Sequence, residues 1–193
     1  TCLIENSSTQ NDENFHYEHG LALYITFNSR TILFDMGKSD NFILNAVRHD
    51  IDLTNVETAI LSHHHYDHGG GLNRFLQINQ KSQVYLKPQP SGDCYSFGFG
   101  KKLRYIGLDK SLFSNHSKRF SFVDKQTEIA PDIFIITNIT ASFPKPKGNR
   151  YLYVSNSKNF SHDSFDHELI LVIKDENGLV VFTGCAHNGI LNI

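Results

Sequence analysis

Apolar positions come in short runs along this chain, and the spacing within each run predicts its conformation. Leu21–Phe27 and Thr31–Asp35 are rich in aliphatic, aromatic and β-branched residues and read as two strands. Asn28-Ser29-Arg30 between them is short and polar enough for a hairpin turn. Ser39 is an N-cap residue ahead of Asp40–Val47, where Phe42, Ile43, Ala46 and Val47 recur at helical spacing. Thr58–Leu61 is a short apolar strand, and Leu72–Ile78 reads as a helix. Beyond Val84 the runs shorten and Pro, Gly, Ser and Asn separate them. Arg119–Val123 and Ile133–Thr137 are the clearest strands there, and Phe143–Asn149 is a loop. Leu169–Ile173 and Leu179–Thr183 flank Asp175-Glu176-Asn177-Gly178, the strongest hairpin signal in the sequence. Strands dominate and a few helices accompany them, which predicts an α/β or α+β sandwich.

Composition narrows the classes. A length of 193 residues favours a single domain over 1–193 with a sizeable core. The formal net charge of −2 gives no electrostatic case for a nucleic-acid partner. No apolar run is long enough to span a membrane, and no signal peptide is visible at the N-terminus. Cys2, Cys94 and Cys185 are an odd, widely spaced set that suits a reducing compartment, so the expected location is cytoplasmic. Histidine is the departure: of eleven, four fall between residues 63 and 68.

Those four lie in Ser62-His63-His64-His65-Tyr66-Asp67-His68-Gly69-Gly70-Gly71, which contains His-x-His-x-Asp-His. Imidazole and carboxylate are ordinary ligands for zinc, and also for iron and manganese. After a buried strand, His63 and His65 can project to one side and converge on one ion, while Asp67 and His68 turn toward a second. Gly69–Gly71 are expected to let the chain turn sharply into the next helix. A metal with an open coordination position lowers the pKa of water from ~15.7 toward ~7 and so makes a nucleophile at neutral pH. The competing reading is a histidine-rich surface loop; four potential ligands within six residues weigh against it. His64 is expected to point the other way, in a structural or surface role. Tyr66 either lines the site or packs.

A second candidate is Thr183-Gly184-Cys185-Ala186-His187-Asn188-Gly189, again after an apolar strand. Cys185 and His187 are both competent ligands; the alternative is a small buried Cys and a helix-capping His. Asp35 ends a strand expected beside the metal loop, where it either orients a ligand histidine from behind or caps the next turn. His162–Glu168 precedes another strand, and Asp163 and His167 are its candidate ligands, against an ordinary solvated loop. Lys101, Lys102 and Arg104, with Lys145 and Lys147, are basic groups that either meet an anionic substrate or are merely solvated.

These residues resemble the metallo-β-lactamase superfamily, and more closely its methanopterin-synthesis-related metal-dependent hydrolases. The matching pieces are Glu18-His19-Gly20-Leu21, Leu33–Gly37, Leu61–Leu72, Ile106-Gly107 and Thr183–Gly189, in the family's order. The resemblance implies an αββα sandwich with metals at one edge of two sheets, His63 and His65 on one metal, Asp67 and His68 on the other. Two departures accompany it. Many relatives carry Gly-His-Thr ahead of the strand at Leu169, where this chain offers Asp163, Asp166 and His167. Relatives also continue through further strands and a helix to a late metal-binding histidine. The chain is therefore expected to lack a C-terminal segment, to bind its second metal more weakly, and to carry an open sheet edge covered by self-association or a partner segment.

The function expected is hydrolysis of an ester, lactone, amide or phosphoester bond of a small-molecule substrate. One or two ions, zinc or else iron or manganese, would be held by His63, His65, Asp67, His68, His187 and Cys185, with Asp67 steering the nucleophile's proton. A second reading is a non-catalytic metal-containing domain that binds a pterin-like or phosphorylated ligand or a partner protein. A third is a di-iron redox protein.

Overall fold

The computed structural model describes residues 1–7, 14–98, 102–156 and 159–193. Its elements begin with β1 (Cys2–Ile4), β2 (Ala22–Phe27), β3 (Arg30–Phe34), α1 (Asn41–Arg48), β4 (Thr58–Ile60), α2 (Tyr66–Gly69), α3 (Leu72–Ile78) and β5 (Gln83–Leu86). Next come β6 (Asp93–Phe97), β7 (Leu103–Tyr105), α4 (Ser111–Asn115), β8 (Phe120–Phe122), β9 (Thr127–Ala130) and β10 (Ile133–Ile136). The last are β11 (Leu152–Ser155), β12 (Phe160–His162), β13 (Ile170–Asp175) and β14 (Gly178–Phe182). They form two compact units. Thr1–Leu61, His65–Tyr85 and Leu108–Ser121 make the first; Ser62–His64, Leu86–Gly107 and Phe122–Ile193 make the second.

The first unit is built on a sheet in the order β1-β2-β3-β4-β5-β8. Phe27 pairs with Arg30, so the β2–β3 hairpin turns on Asn28 and Ser29, both at positive φ (46° and 61°), as a tight primed turn requires. β3, β4 and β5 run parallel. Parallel strands are covered on both faces, which explains the unbroken apolar runs: Ile32, Leu33, Phe34, Ala59, Ile60 and Val84 are all buried. The carboxyl ends of β3 and β4 stay in step beyond the ladder, with the Asp35 N–H donating to Ile60 O at 2.9 Å.

α1 departs from its predicted face. Phe42, Asn45 and Ala46 are the buried positions, whereas Val47 is 67 % exposed. Asn45 takes the inward place because its amide donates to the carbonyls of Leu3 (2.6 Å) and His16 (2.7 Å), ordering two segments no helix period could foresee. Ser39 is not the N-cap residue; that place falls to Asp40, whose side chain makes no capping hydrogen bond. The Ser39 hydroxyl accepts the Asn41 N–H, while Glu18 accepts the N–H groups of Lys38 and Ser39 and the side chains of Ser39 and Asn41.

In the second unit β14-β13-β10-β9 form one sheet and β12-β11-β6-β7 another. The β13–β14 hairpin closes at the Asp175–Gly178 pair, around Glu176 and Asn177. The β12-β11-β6-β7 sheet had no sequence signal beyond scattered aromatics, because its strands are three to five residues long and half polar. The segment read as a loop at Phe143–Asn149 ends in a 3₁₀ turn, Lys147–Tyr151. β14 lies at the end of its sheet, with Leu179, Val180 and Val181 exposed. Among the described residues no helix is long and apolar enough to cross a membrane.

Candidate metal centre

The histidine run is divided between the units: Ser62–His64 belong to the second and His65 onward to the first. In the first unit α2 begins within the run itself, with His65 as its extended N-cap residue (φ −97°, ψ 148°). Asp67 and His68 thus stand on one helical turn, and both are buried. The glycines that follow do not supply the unusual dihedrals expected of them. Gly70 has ordinary helical φ and ψ (−63°, −34°), and what it provides is space. A Cβ there would strike the carbonyl oxygens of Lys38 and Tyr66.

Behind His68 lies Asp35, fully buried and at positive φ (58°), with Oδ2 2.6 Å from His68 Nδ1. A carboxylate only accepts, so Nδ1 carries the proton and Nε2 the lone pair. Asp67 Oδ2 is 3.2 Å from His19 Nε2 and 3.6 Å from His68 Nε2. His19 reaches Asp67 because Glu18 is anchored on the turn before α1 and Gly20 follows at φ 141°. A side chain on Gly20 would collide with the backbone carbonyl of Asp67. His19 lies in the quoted Glu-His-Gly-Leu motif, but nothing in the sequence assigned it this contact.

In the second unit His63 is fully buried, with Nδ1 2.9 Å from Ser62 Oγ. Its ring meets that of His187 edge-on, 5.0 Å between centroids. A ring nitrogen of His187 and the Cys185 thiol each lie within 4.8 Å of a His63 ring nitrogen. Cys185 is exposed, so the buried-Cys alternative does not describe it. His187 is held from three sides. Its N–H donates to Glu168 (2.7 Å), its Nδ1 faces Asn149 Oδ1 (3.0 Å), and its ring stacks on Phe165 at 4.3 Å. Glu168 also accepts the backbone and side-chain amides of Asn188 at 2.8 Å. Neither Glu168 nor Asn149 was singled out in the sequence. Glu168 sits in the acidic run before β13, a weak signal, and Asn149 in a Pro-rich loop that gives none.

His64 is buried rather than on the surface, with its ring nitrogen Nε2 2.8 Å from Lys87 O. The Lys87 ammonium donates to Thr137 O, and burial lowers its pKa against the opposing pull of Asp166 and Asp124. Asp163 and His167 are both buried and face one another, Oδ2 to Nε2 at 3.1 Å. Cys94, which the sequence did not recommend, brings its thiol within 4.8 Å of ligand atoms of both. Of the basic groups, Lys101 falls outside the described residues, and Lys102, Arg104 and Lys147 are exposed. Lys145 donates to Ser164 O and lies 5.8 Å over the Phe165 ring.

The donor set suits a metal ion of the zinc, iron or manganese kind. Nε2 of His63, of His65 and of His187 is buried and makes no hydrogen bond within the protein. In His187 the opposite nitrogen faces an amide oxygen, which only accepts, so Nδ1 carries the proton and Nε2 the lone pair; His63 Nδ1 faces the Ser62 hydroxyl, which can donate or accept.

Residues 18–92 match the model of the metallo-beta-lactamase superfamily. The crystal structure of Tm1679, a metal-dependent hydrolase of the beta-lactamase superfamily, is 32% identical with a TM-score of 0.77; the match covers 99% of this chain and 67% of that one. The 7,8-dihydropterin-6-methyl-4-(beta-D-ribofuranosyl)-aminobenzene-5'-phosphate synthase of Methanocaldococcus jannaschii is 27% identical over 195 residues, 93% of this chain and 65% of that protein. The hydroxyacylglutathione hydrolase of Salmonella typhi is 37% identical over 60 residues, 30% of this chain and 24% of its own length. The chain thus spans about two thirds of the length of the first two. Its sheets, its buried histidines and carboxylates and these likenesses agree, and the chain belongs to the metallo-β-lactamase superfamily, among its metal-dependent hydrolases.

Proposed function

We propose that this chain hydrolyses an ester, lactone, amide or phosphoester bond of a small molecule, with His63 and His65 as ligands of one metal ion and Asp67 and His68 of a second; His187 and Cys185, both near His63, are further candidate ligands. The observation that carries the reading is the way the imidazoles are held. Asp35 binds His68 at Nδ1 and Asn149 binds His187 at Nδ1, which leaves Nε2 of each ring as the basic atom. Solvated loop histidines have no such backing.

When bound, the metal polarises a substrate oxygen and makes water a nucleophile at neutral pH. The chain's own residues do the rest. Asp67 Oδ2 takes the nucleophile's proton, and His19, 3.2 Å away with a largely exposed ring, passes it to solvent. Asp35 keeps His68 in one tautomer throughout. Lys145, above the Phe165 ring that stacks on His187, favours an anionic group on the substrate.

Turnover of esters, lactones, amides and phosphodiesters by the metal-loaded protein tests this. The likeness to the dihydropterin phosphate synthase supports adding a phosphorylated, pterin-like molecule to the panel. A fully loaded protein that cleaves none of these and yet binds one tightly would turn the reading to a ligand-binding domain. Asp35→Asn is expected to lower affinity for the metal served by His68 roughly 10–100-fold. Chelator competition measures this, and an unchanged affinity would remove Asp35 from the role.

For partners, the exposed apolar edge at β14 supports pairing between copies of the chain. Val180→Lys is expected to shift the association equilibrium toward monomer in sedimentation. A wild-type chain that is monomeric at high concentration would dispose of the idea.

A further inference from the structure

Three hydrogen bonds gather on the short segment Ser62–His64. The Leu169 N–H donates to Ser62 O at 2.8 Å. The His64 N–H donates to His167 Nδ1 at 3.2 Å. The His64 ring donates from Nε2 to Lys87 O at 2.8 Å, since a carbonyl can only accept. The middle bond determines the state of His167. A backbone N–H always donates, so His167 Nδ1 must carry the lone pair. The proton of the neutral ring then sits on Nε2, 3.1 Å from Asp163 Oδ2, an acceptor. Both nitrogens are committed in a single tautomer, which the Asp163 carboxylate selects. His64, Asp163 and His167 are all buried, so water does not compete for these bonds.

We propose that Asp163 and His167 are positioning residues for the metal loop. Asp163 holds His167 in its Nε2–H tautomer, and His167 Nδ1 fixes the peptide of His64, the residue standing between His63 and His65 in the chain. Rotation of that peptide would redirect both neighbours, so the bond sets how His63 and His65 present Nε2. The proposal rests on the reading of those two histidines as metal ligands.

The rival assignment makes the same residues ligands themselves, because the Cys94 thiol and ligand atoms of Asp163 and His167 all lie within 4.8 Å of one another. The His64 bond argues against it. A cation on His167 Nε2 would require the ring proton at Nδ1, pointing straight at the His64 N–H.

The test compares wild type, His167→Ala and His167→Asn, each titrated with zinc against a chelator, with metal counted per chain at saturation. Asn carries an oxygen near the place of Nδ1 and can still accept the His64 N–H; Ala cannot. The Ala variant is expected to keep the wild-type stoichiometry and lose roughly 10–100-fold in affinity, and the Asn variant to recover to within a few-fold of wild type. Nitrogen-15 spectroscopy of the wild type should show scalar coupling from the His64 amide nitrogen to His167 Nδ1, a readout that needs neither activity nor a variant that folds. A stoichiometry reduced in both variants overturns the proposal in favour of a ligand role, as does a thiolate band in the cobalt(II)-loaded protein that Cys94→Ser removes. An Ala variant of wild-type affinity, or a wild type without the coupling, overturns it outright. A wild-type chain that takes up no metal defeats the parent reading instead, and shows it before any variant is made.

Discussion

Replacing His63 and His65 together by Ala is expected to leave the purified protein without its first metal ion and to lower turnover by on the order of 10⁴-fold or more, since water of pKa ~15.7 then stands where one near ~7 is needed. The two residues are alternate positions of one loop, both are buried, and in both Nε2 makes no hydrogen bond inside the protein. Metal content by mass spectrometry decides the matter, with chelator-stripped wild type as the reference for stability. The double variant should melt close to that stripped protein. Unaltered metal content would sink the assignment of both histidines.

The second large effect is expected from Asp67→Ala: a fall in turnover of roughly 10²–10⁴-fold, against a loss of stability of about 1 kcal/mol or less. The asymmetry follows from what the carboxylate touches. Its near partner, His19, is largely exposed, so the hydrogen bond between them adds little to folding. Asp67 stands on the first turn of α2, with Oδ2 3.6 Å from His68 Nε2, where the proposed function has it serve a metal and a proton. Turnover per folded molecule and the melting temperature, measured on the same sample, separate the two effects. A protein that melts far lower and yet turns over at the wild-type rate would reverse the assignment.

Much of the first unit was legible in the sequence because its determinants are local. Two strands around Asn28-Ser29, a parallel strand ahead of the histidines and the helix Leu72–Ile78 each announce themselves by period, turn chemistry or apolar run. The hairpin closed by Glu176 and Asn177 is local too. The β12-β11-β6-β7 sheet was not legible. Its strands pair Tyr95 with Tyr105 on one side and Tyr153 on the other, and no strand of three to five half-polar residues carries such a pairing in its own pattern. α1 shows the same limit in one residue: Asn45 reads as polar and therefore outward, yet it is buried because the carbonyls it serves are supplied from Leu3 and His16.

The candidate site divides in the same way. Candidate ligands are named by residue type and close spacing, so His63, His65, Asp67 and His68 are proposed from six consecutive positions. That sequence also determined the class of chemistry, since imidazole and carboxylate in this density have few uses other than holding a metal. Which nitrogen of each ring is offered was decided only by tertiary structure. Asp35 lies 33 residues before His68 and Asn149 38 before His187. A tautomer is set by the group on the far side of the ring, and that group arrives through packing of distant segments rather than through any pattern a short stretch of chain can hold.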